Sequence, residues 1–229
     1  MAVSRANIKK SVDQLLGDAD FESKLPRLIE MPPRKVINRL FGHLCDPDES
    51  IKMRAVKAIG IVVGNLAEQD IESARVIMRR FMWNLNDESG CIGWGAPEAM
   101  GEIMAVSERL AREYAHVLVS YIREDGNFLE YEPLQRGVLS GLARLAEVRP
   151  GLLKNAAAHV EPFLQSENPY LRGLAVRVLG LIQALSARLE IKSLLADDTP
   201  IKIYINGELA HCKVSQLAES ALESLGFLL

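Results

Sequence analysis

The sequence predicts an all-α fold, an α-α superhelix of stacked helical hairpins, with a small β-hairpin inserted near the C-terminus. Three observations carry this. Apolar residues recur at helical spacing, as in Val36, Ile37, Leu40, Phe41 and Leu44, which form one stripe. Aromatic residues make up only 6% of the chain and turn signals recur at long intervals, which favours helix over sheet. Small residues also return at a fixed offset: Ala55, Ala58, Ile59 and Gly60 are matched 41 residues later by Ala96, Ala99, Met100 and Gly101. Small residues at helical spacing let neighbouring helices approach closely, and a lone hairpin leaves its apolar face uncovered, so stacking is the physical answer.

In order, the pattern predicts a helix over 4–16 and a shorter one from about 20 to 30, together an N-terminal cap covering 1–32. A helix over 33–44 follows, then the Asp46-Pro47-Asp48 turn and a second helix over 49–66, which make one hairpin. The plan repeats with helices over 71–85, 96–110, 112–123, 130–148, 152–165 and 170–185, so that repeats fill 33–190. The last segment, 191–229, departs from it. Ile201-Lys202-Ile203-Tyr204-Ile205 alternates with period two and is followed by Asn206-Gly207, the strongest short-range hairpin signal. This predicts a terminal repeat with a β-hairpin at about 200–214 and a final helix over 215–225, the whole chain forming one continuous domain.

Composition sets limits on function. The formal net charge is −3, the isoelectric point is about 5.9 and charged residues make up 25%, so no bulk attraction to nucleic acid is indicated. The N-terminal stretch carries Arg5, Lys9, Lys10 and Asp13 and lacks the apolar run of a signal peptide, and the run 58–63 is too short to span a bilayer. Cys45, Cys91 and Cys212 are far apart and form no CxxC pair, which points to a reducing compartment, the cytoplasm, and away from disulfides or structural zinc.

A second register signal lies at the turns. Asp46 precedes Lys52 by six residues, Glu130 precedes Arg136 by six, and Ser166 stands in the same relation to Arg172. A period of this length, with an acidic or polar residue before the turn and a basic one after it, resembles HEAT repeats, and looks most like the short HEAT-like repeats first described in phycobilisome lyases. The resemblance covers roughly 33–185. It implies a ladder between layers, formed by the acidic and basic turn residues of successive repeats. In this chain the ladder has a gap, because Asp87 keeps the acidic position while Gly93 stands where the basic residue belongs.

That gap lies in the glycine-rich segment Asp87-Glu88-Ser89-Gly90-Cys91-Ile92-Gly93-Trp94-Gly95-Ala96-Pro97-Glu98, the place where the pattern breaks. Several readings stand side by side. Backbone N–H groups there form a candidate anion nest, but Asp87, Glu88 and Glu98 oppose a phosphate and the glycine spacing matches no nucleotide motif. The carboxylates suit a cation or a basic partner group. Structurally, Gly90, Gly93 and Gly95 permit an unusual turn, Pro97 suits the first turn of a helix and Trp94 packs on the next repeat. Trp94 as an exposed anchor for a partner is the remaining reading.

His43, His116, His159 and His211 show no metal-ligand spacing, and neither His43 with Cys45 nor His211 with Cys212 has an identifiable orienting group. Cys91, beside glycine near a helix start, is a nucleophile without an assignable base. Lys52, Arg54, Lys57, Arg136, Arg144, Arg172 and Arg177 line a basic strip on one reading; on the other, Lys52, Arg136 and Arg172 complete inter-repeat ladders and the rest are solvated.

The function expected from this is a non-enzymatic scaffold that binds a protein partner through its inner groove and the 87–101 turn. The partner-binding candidates are Asp87, Gly90, Gly93, Trp94, Gly95, Glu98, Lys52, Arg136 and Arg172. No cofactor, metal, nucleic acid or membrane is expected. The alternative is an enzyme or enzyme subunit, since HEAT-like folds include bilin lyases and alkylpurine DNA glycosylases, with Asp87 and Trp94 as the carboxylate and aromatic a glycosylase requires.

Overall fold

The computed structural model describes residues 5–86, 93–205 and 208–227. They form twelve described α-helices and one two-stranded antiparallel sheet, with short 3-10 turns between. The chain divides into two compact units, Met1–Ala111 and Arg112–Leu229.

In the first unit, α1 (Arg5–Leu16), α2 (Phe21–Lys24) and a 3-10 turn (Leu25–Glu30) precede α3 (Pro33–Phe41), α4 (Glu49–Gln69), α5 (Ile71–Leu85) and α6 (Ala96–Val106). The expected 20–30 helix thus tightens to 3-10 geometry at Leu25, with Pro26 in its first turn. α4 starts where Asp48 accepts backbone hydrogen bonds from Ser50 and Ile51, and α5 starts on an equivalent bond from Ser73 to Asp70.

The helices paired by the 41-residue offset, α4 and α6, pack directly on each other. Glycine makes this possible. A Cβ on Gly60 would lie 2.4 Å from Cγ of Glu102, and one on Gly64 would lie 2.3 Å from Val106, so α6 fills the space those glycines leave. α3 and α5 flank the layer, joined by the stacked rings of Phe41 and Phe81 at 4.5 Å.

In the second unit, α7 (Glu108–Ser120), whose first residues belong to the first unit, leads to α8 (Glu132–Val148), α9 (Ala157–Val160), α10 (Pro169–Leu181) and α11 (Arg188–Ser193), then β1 (Pro200–Ile205), β2 (Glu208–Lys213) and α12 (Val214–Ser224). α8, α10 and α12 stack in sequence, the same plan as α4 on α6. Gly180 faces Ala221 so closely that a Cβ would lie 2.7 Å from that methyl group. The helix expected over 152–165 is instead α9 between two 3-10 turns, Pro150–Ala156 and Glu161–Gln165, each with proline in its first turn. α10 ends four residues early, where Gln183 adopts a positive φ of 56°.

β1 pairs antiparallel with β2, Ile201 opposite Cys212 and Ile205 opposite Glu208. Ile201 and Ile203 are buried, and Ile201 reaches Gly173 of α10. The hairpin is therefore fastened to the repeat stack through its isoleucine face.

Candidate partner-binding site

The site begins at Leu44, the buried residue that follows the end of α3. The turn preceding α6 is pressed against it: Gly95 has φ +71°, and a Cβ there would lie 2.9 Å from Cβ and 3.0 Å from the carbonyl oxygen of Leu44. Both constraints demand glycine. The Gly93 carbonyl accepts a hydrogen bond from the Ala96 N–H at 3.1 Å, closing the turn, and Pro97 occupies the first turn of α6. Gly95 and Pro97 therefore serve the turn's geometry. Trp94 does not pack fully on a neighbour, since it keeps 41% of its surface exposed.

Immediately inside the helix, Glu98 is 8% exposed and its Oε1 accepts a hydrogen bond from the Lys52 ammonium at 2.7 Å. The pair ties α4 to α6. Its other oxygen, Oε2, is buried with no hydrogen-bond partner among the described residues. One turn on, Glu102 is also buried, against Gly60. Of the nine candidates, the structure brings together Gly93, Trp94, Gly95, Glu98 and Lys52. Asp87 and Gly90 lie outside the described residues, as does Cys91. Arg136 and Arg172 belong to the second unit.

Of those two arginines, Arg172 carries a ladder rung. The Arg172 guanidinium reaches Asp197 of the following turn through Nε at 2.8 Å and Nη2 at 2.7 Å, while Nη1 donates to the carbonyls of Ser166 at 2.7 Å and Glu167 at 3.0 Å. Burial would raise the Asp197 pKa, but hydrogen bonds from Thr199 and Arg172 outweigh it and hold the carboxyl below the usual range. Arg136 lies over the Tyr170 ring at 4.2 Å and donates to the Lys202 carbonyl at 3.3 Å, whereas Glu130 makes no hydrogen bond or ion pair among the described residues.

The cations of the strip are engaged with their own unit. Lys57 pairs with Glu22 at 2.6 Å, Arg54 donates to the Leu16 and Asp18 carbonyls at 2.8 and 2.9 Å, and Glu147 takes both Arg144 and Arg177. Arg54, Lys57, Arg144 and Arg177 are therefore held by carboxylates or carbonyls of their own unit rather than left to solvent.

His43 has the orienting groups that sequence reasoning did not find. Nε2 faces Asp13 at 3.0 Å and Nδ1 faces Asp46 at 3.2 Å, so both ring nitrogens meet carboxylates. That makes it a bridge between α1 and the turn after α3 rather than a base for the exposed Cys45. Burial pushes the Cys212 thiol up, with Arg177 opposing. Among the described residues no cluster of three or more His, Cys, Asp or Glu is placed to hold a metal. No helix among them is long and apolar enough to cross a membrane.

Trp83 was missed. It is 68% exposed on α5, together with Val76 at 55% one face-repeat earlier. The signal was present in the sequence: Ala74, Ile77, Met78, Phe81 and Leu85 form the buried stripe of α5, and Trp83 falls off it.

No protein-family model matches the chain. An uncharacterized protein of Archaeoglobus fulgidus is 29% identical over 121 residues, 53% of this chain and 57% of that protein, so the chain spans little more than half the length of this relative. Among solved structures, an engineered protein is similar with a TM-score of 0.55 at 16% identity, covering 96% of each chain. A designed armadillo repeat protein in complex with the peptide (KR)4 has a TM-score of 0.54 at 16% identity, covering 95% of this chain and 99% of that one. At such identities the likeness is one of fold, and it supports a helical-repeat solenoid.

Proposed function

We propose that the chain is a protein-binding helical-repeat module, acting in the cytoplasm as a scaffold that holds a partner through the Gly/Trp turn before α6. The observation that carries this is the exposed Trp94, held on a frame that cannot easily yield: Gly95 locked against Leu44 below it, and the Lys52–Glu98 pair one turn inside. A rigid aromatic side chain loses little entropy on contact and is the residue type most enriched at binding hot spots. Trp83 on α5 enlarges the exposed aromatic surface of the same unit. The likeness to a designed repeat protein solved with a peptide supports a peptide or protein partner. The finer affiliation, with short HEAT-like repeats of the phycobilisome-lyase type, rests on the Arg172–Asp197 rung, which links one turn to the next as that repeat implies.

The test is affinity capture with wild type, Trp94→Ala and Trp83→Ala, followed by quantitative mass spectrometry. Loss of the same specific proteins from the Trp94→Ala capture is the expected result. Equal recovery of every partner removes the turn from the proposal.

A further inference from the structure

The second unit contains a cavity of about 590 Å³ whose chemistry differs from everything described above. It is lined by the loop that follows α7, the α9 region and Leu171 of α10. Phe163 and Leu171 are buried walls, Phe128 is 37% exposed, and the rim carries Glu124, Asp125 and Glu132. No lysine or arginine lines it, and His159 is its basic side chain. The volume is that of a site able to enclose a long side chain.

The three carboxylates are not equally committed. Asp125 already holds the Arg123 fork, at 3.0 Å to Nε and 2.7 Å to Nη2, and is neutralised by it. Among the described residues Glu132 accepts only a neutral donor, Nδ2 of Asn168 at 3.0 Å, which leaves its charge uncompensated by a cation there. Glu124 makes no hydrogen bond or ion pair among the described residues. Two uncompensated acids therefore flank a cavity whose other walls combine Phe128, Phe163 and Leu171 with the polar side chains of Gln135, His159 and Ser166.

A side chain that satisfies both features is planar and cationic with an aliphatic stem. A guanidinium offers forked donors to a carboxylate and stacks on an aromatic face, where an ammonium offers a point charge. The chain repeatedly uses this pairing internally: Arg54 over Phe21 at 5.3 Å, Arg80 over Phe41 at 3.8 Å, Arg136 over Tyr170 at 4.2 Å and Arg188 over Phe227 at 3.5 Å. The Phe128 ring has no such partner among the described contacts.

Resting on the protein-binding reading above, we propose that this cavity is a second contact point, which takes an arginine side chain from an extended, basic segment of the partner protein. The guanidinium is held by Glu124 and Glu132, its stem passes along Phe128, and Phe163 and Leu171 close the apolar end.

The experiment uses the full chain and three fluorescein-labelled hexapeptides, alternating glycine with arginine, lysine or glutamate, followed by fluorescence anisotropy at low and physiological salt. The arginine peptide binds tightest, the lysine peptide more weakly and the glutamate peptide not at all. Glu124→Gln with Glu132→Gln weakens arginine-peptide binding by about tenfold or more, and Phe128→Ala weakens it several-fold, with circular dichroism melts confirming that each variant folds. Glu190→Gln with Glu219→Gln, which removes two exposed acids elsewhere in the unit, leaves binding unchanged. Absence of arginine-peptide binding, or equal loss in the Glu190/Glu219 control, overturns the proposal. Binding of the glutamate peptide does so as well. If the peptide result fails while capture remains dependent on Trp94, only this inference falls; if capture is independent of Trp94 while the peptide still binds, the turn falls and the cavity stands.

Discussion

The ammonium of Lys52 lies 2.7 Å from Oε1 of Glu98, a carboxylate with only 9% of its side chain exposed, and this contact joins one repeat helix to the next. Removing the lysine alone strands a buried charge. Lys52→Met therefore destabilises the protein by on the order of 2 kcal/mol, while Lys52→Met with Glu98→Met recovers most of the loss. Urea denaturation of the two single variants and the double variant reads the coupling. Strictly additive effects in that cycle would show that the two residues do not act as a pair.

The glycines divide into those the fold needs and those it does not. Gly95→Ala forces a left-handed φ of +71° on a side chain already against Leu44, costing about 1–2 kcal/mol for the backbone alone. Gly60→Ala meets Glu102 and overpacks the α4–α6 seam, costing about 1–3 kcal/mol. Gly151 has nothing within 4 Å of a built Cβ, and Gly151→Ala is neutral or stabilises by up to roughly 0.5 kcal/mol. Thermal melts should place both Gly95→Ala and Gly60→Ala below wild type, with Gly151→Ala at or above it.

Acid sensitivity follows from two aspartates. At Asp13 burial raises the pKa, but hydrogen bonds from Arg39 and His43 prevail and hold it low; Asp197 has the same balance with Thr199 and Arg172. A carboxyl whose folded pKa is depressed contributes stability that is fully present above its unfolded value of about 3.9 and is lost as pH falls through the lower folded value. Denaturation midpoints should fall steeply below about pH 4. The gap between wild type and Asp197→Asn should be widest near neutrality and close as pH falls. A gap that stayed constant down to pH 2 would contradict the assignment.

Trp83→Ala changes stability by less than about 0.5 kcal/mol, because its indole is mostly in solvent. Trp94→Ala costs more, on the order of 1 kcal/mol, because more than half of that side chain is covered. Both effects are small beside a lost anchor, so a fall in partner capture exceeding the fall in folded fraction separates binding from folding.

Local rules were enough for much of this architecture. The buried stripe over Ile71–Leu85 and its Asp70 cap can both be read from spacing, and β1 and β2 flank the Asn-Gly pair where the period changes from helical to two. The stretch 152–165 was misread because its apolar spacing is helical while Pro150 and Pro162 tighten it into 3-10 turns. At the site, Gly95 and Pro97 were recognisable from turn chemistry. The partner of Lys52 was not, since Glu98 is 46 residues away and only the stacking of α4 on α6 brings it near. Of the two carboxylates around His43, Asp13 was hidden for the same reason, being 30 residues distant, whereas Asp46 lies only three residues on.

The chain contains two tryptophans, and both fall within Met1–Ala111. Indole emission excited at wavelengths that tyrosine does not absorb is consequently a private optical channel for the first unit, while far-ultraviolet circular dichroism averages over both. Superimposable unfolding curves from the two signals mean that the units melt as one, and displaced curves resolve their separate stabilities without any label being added.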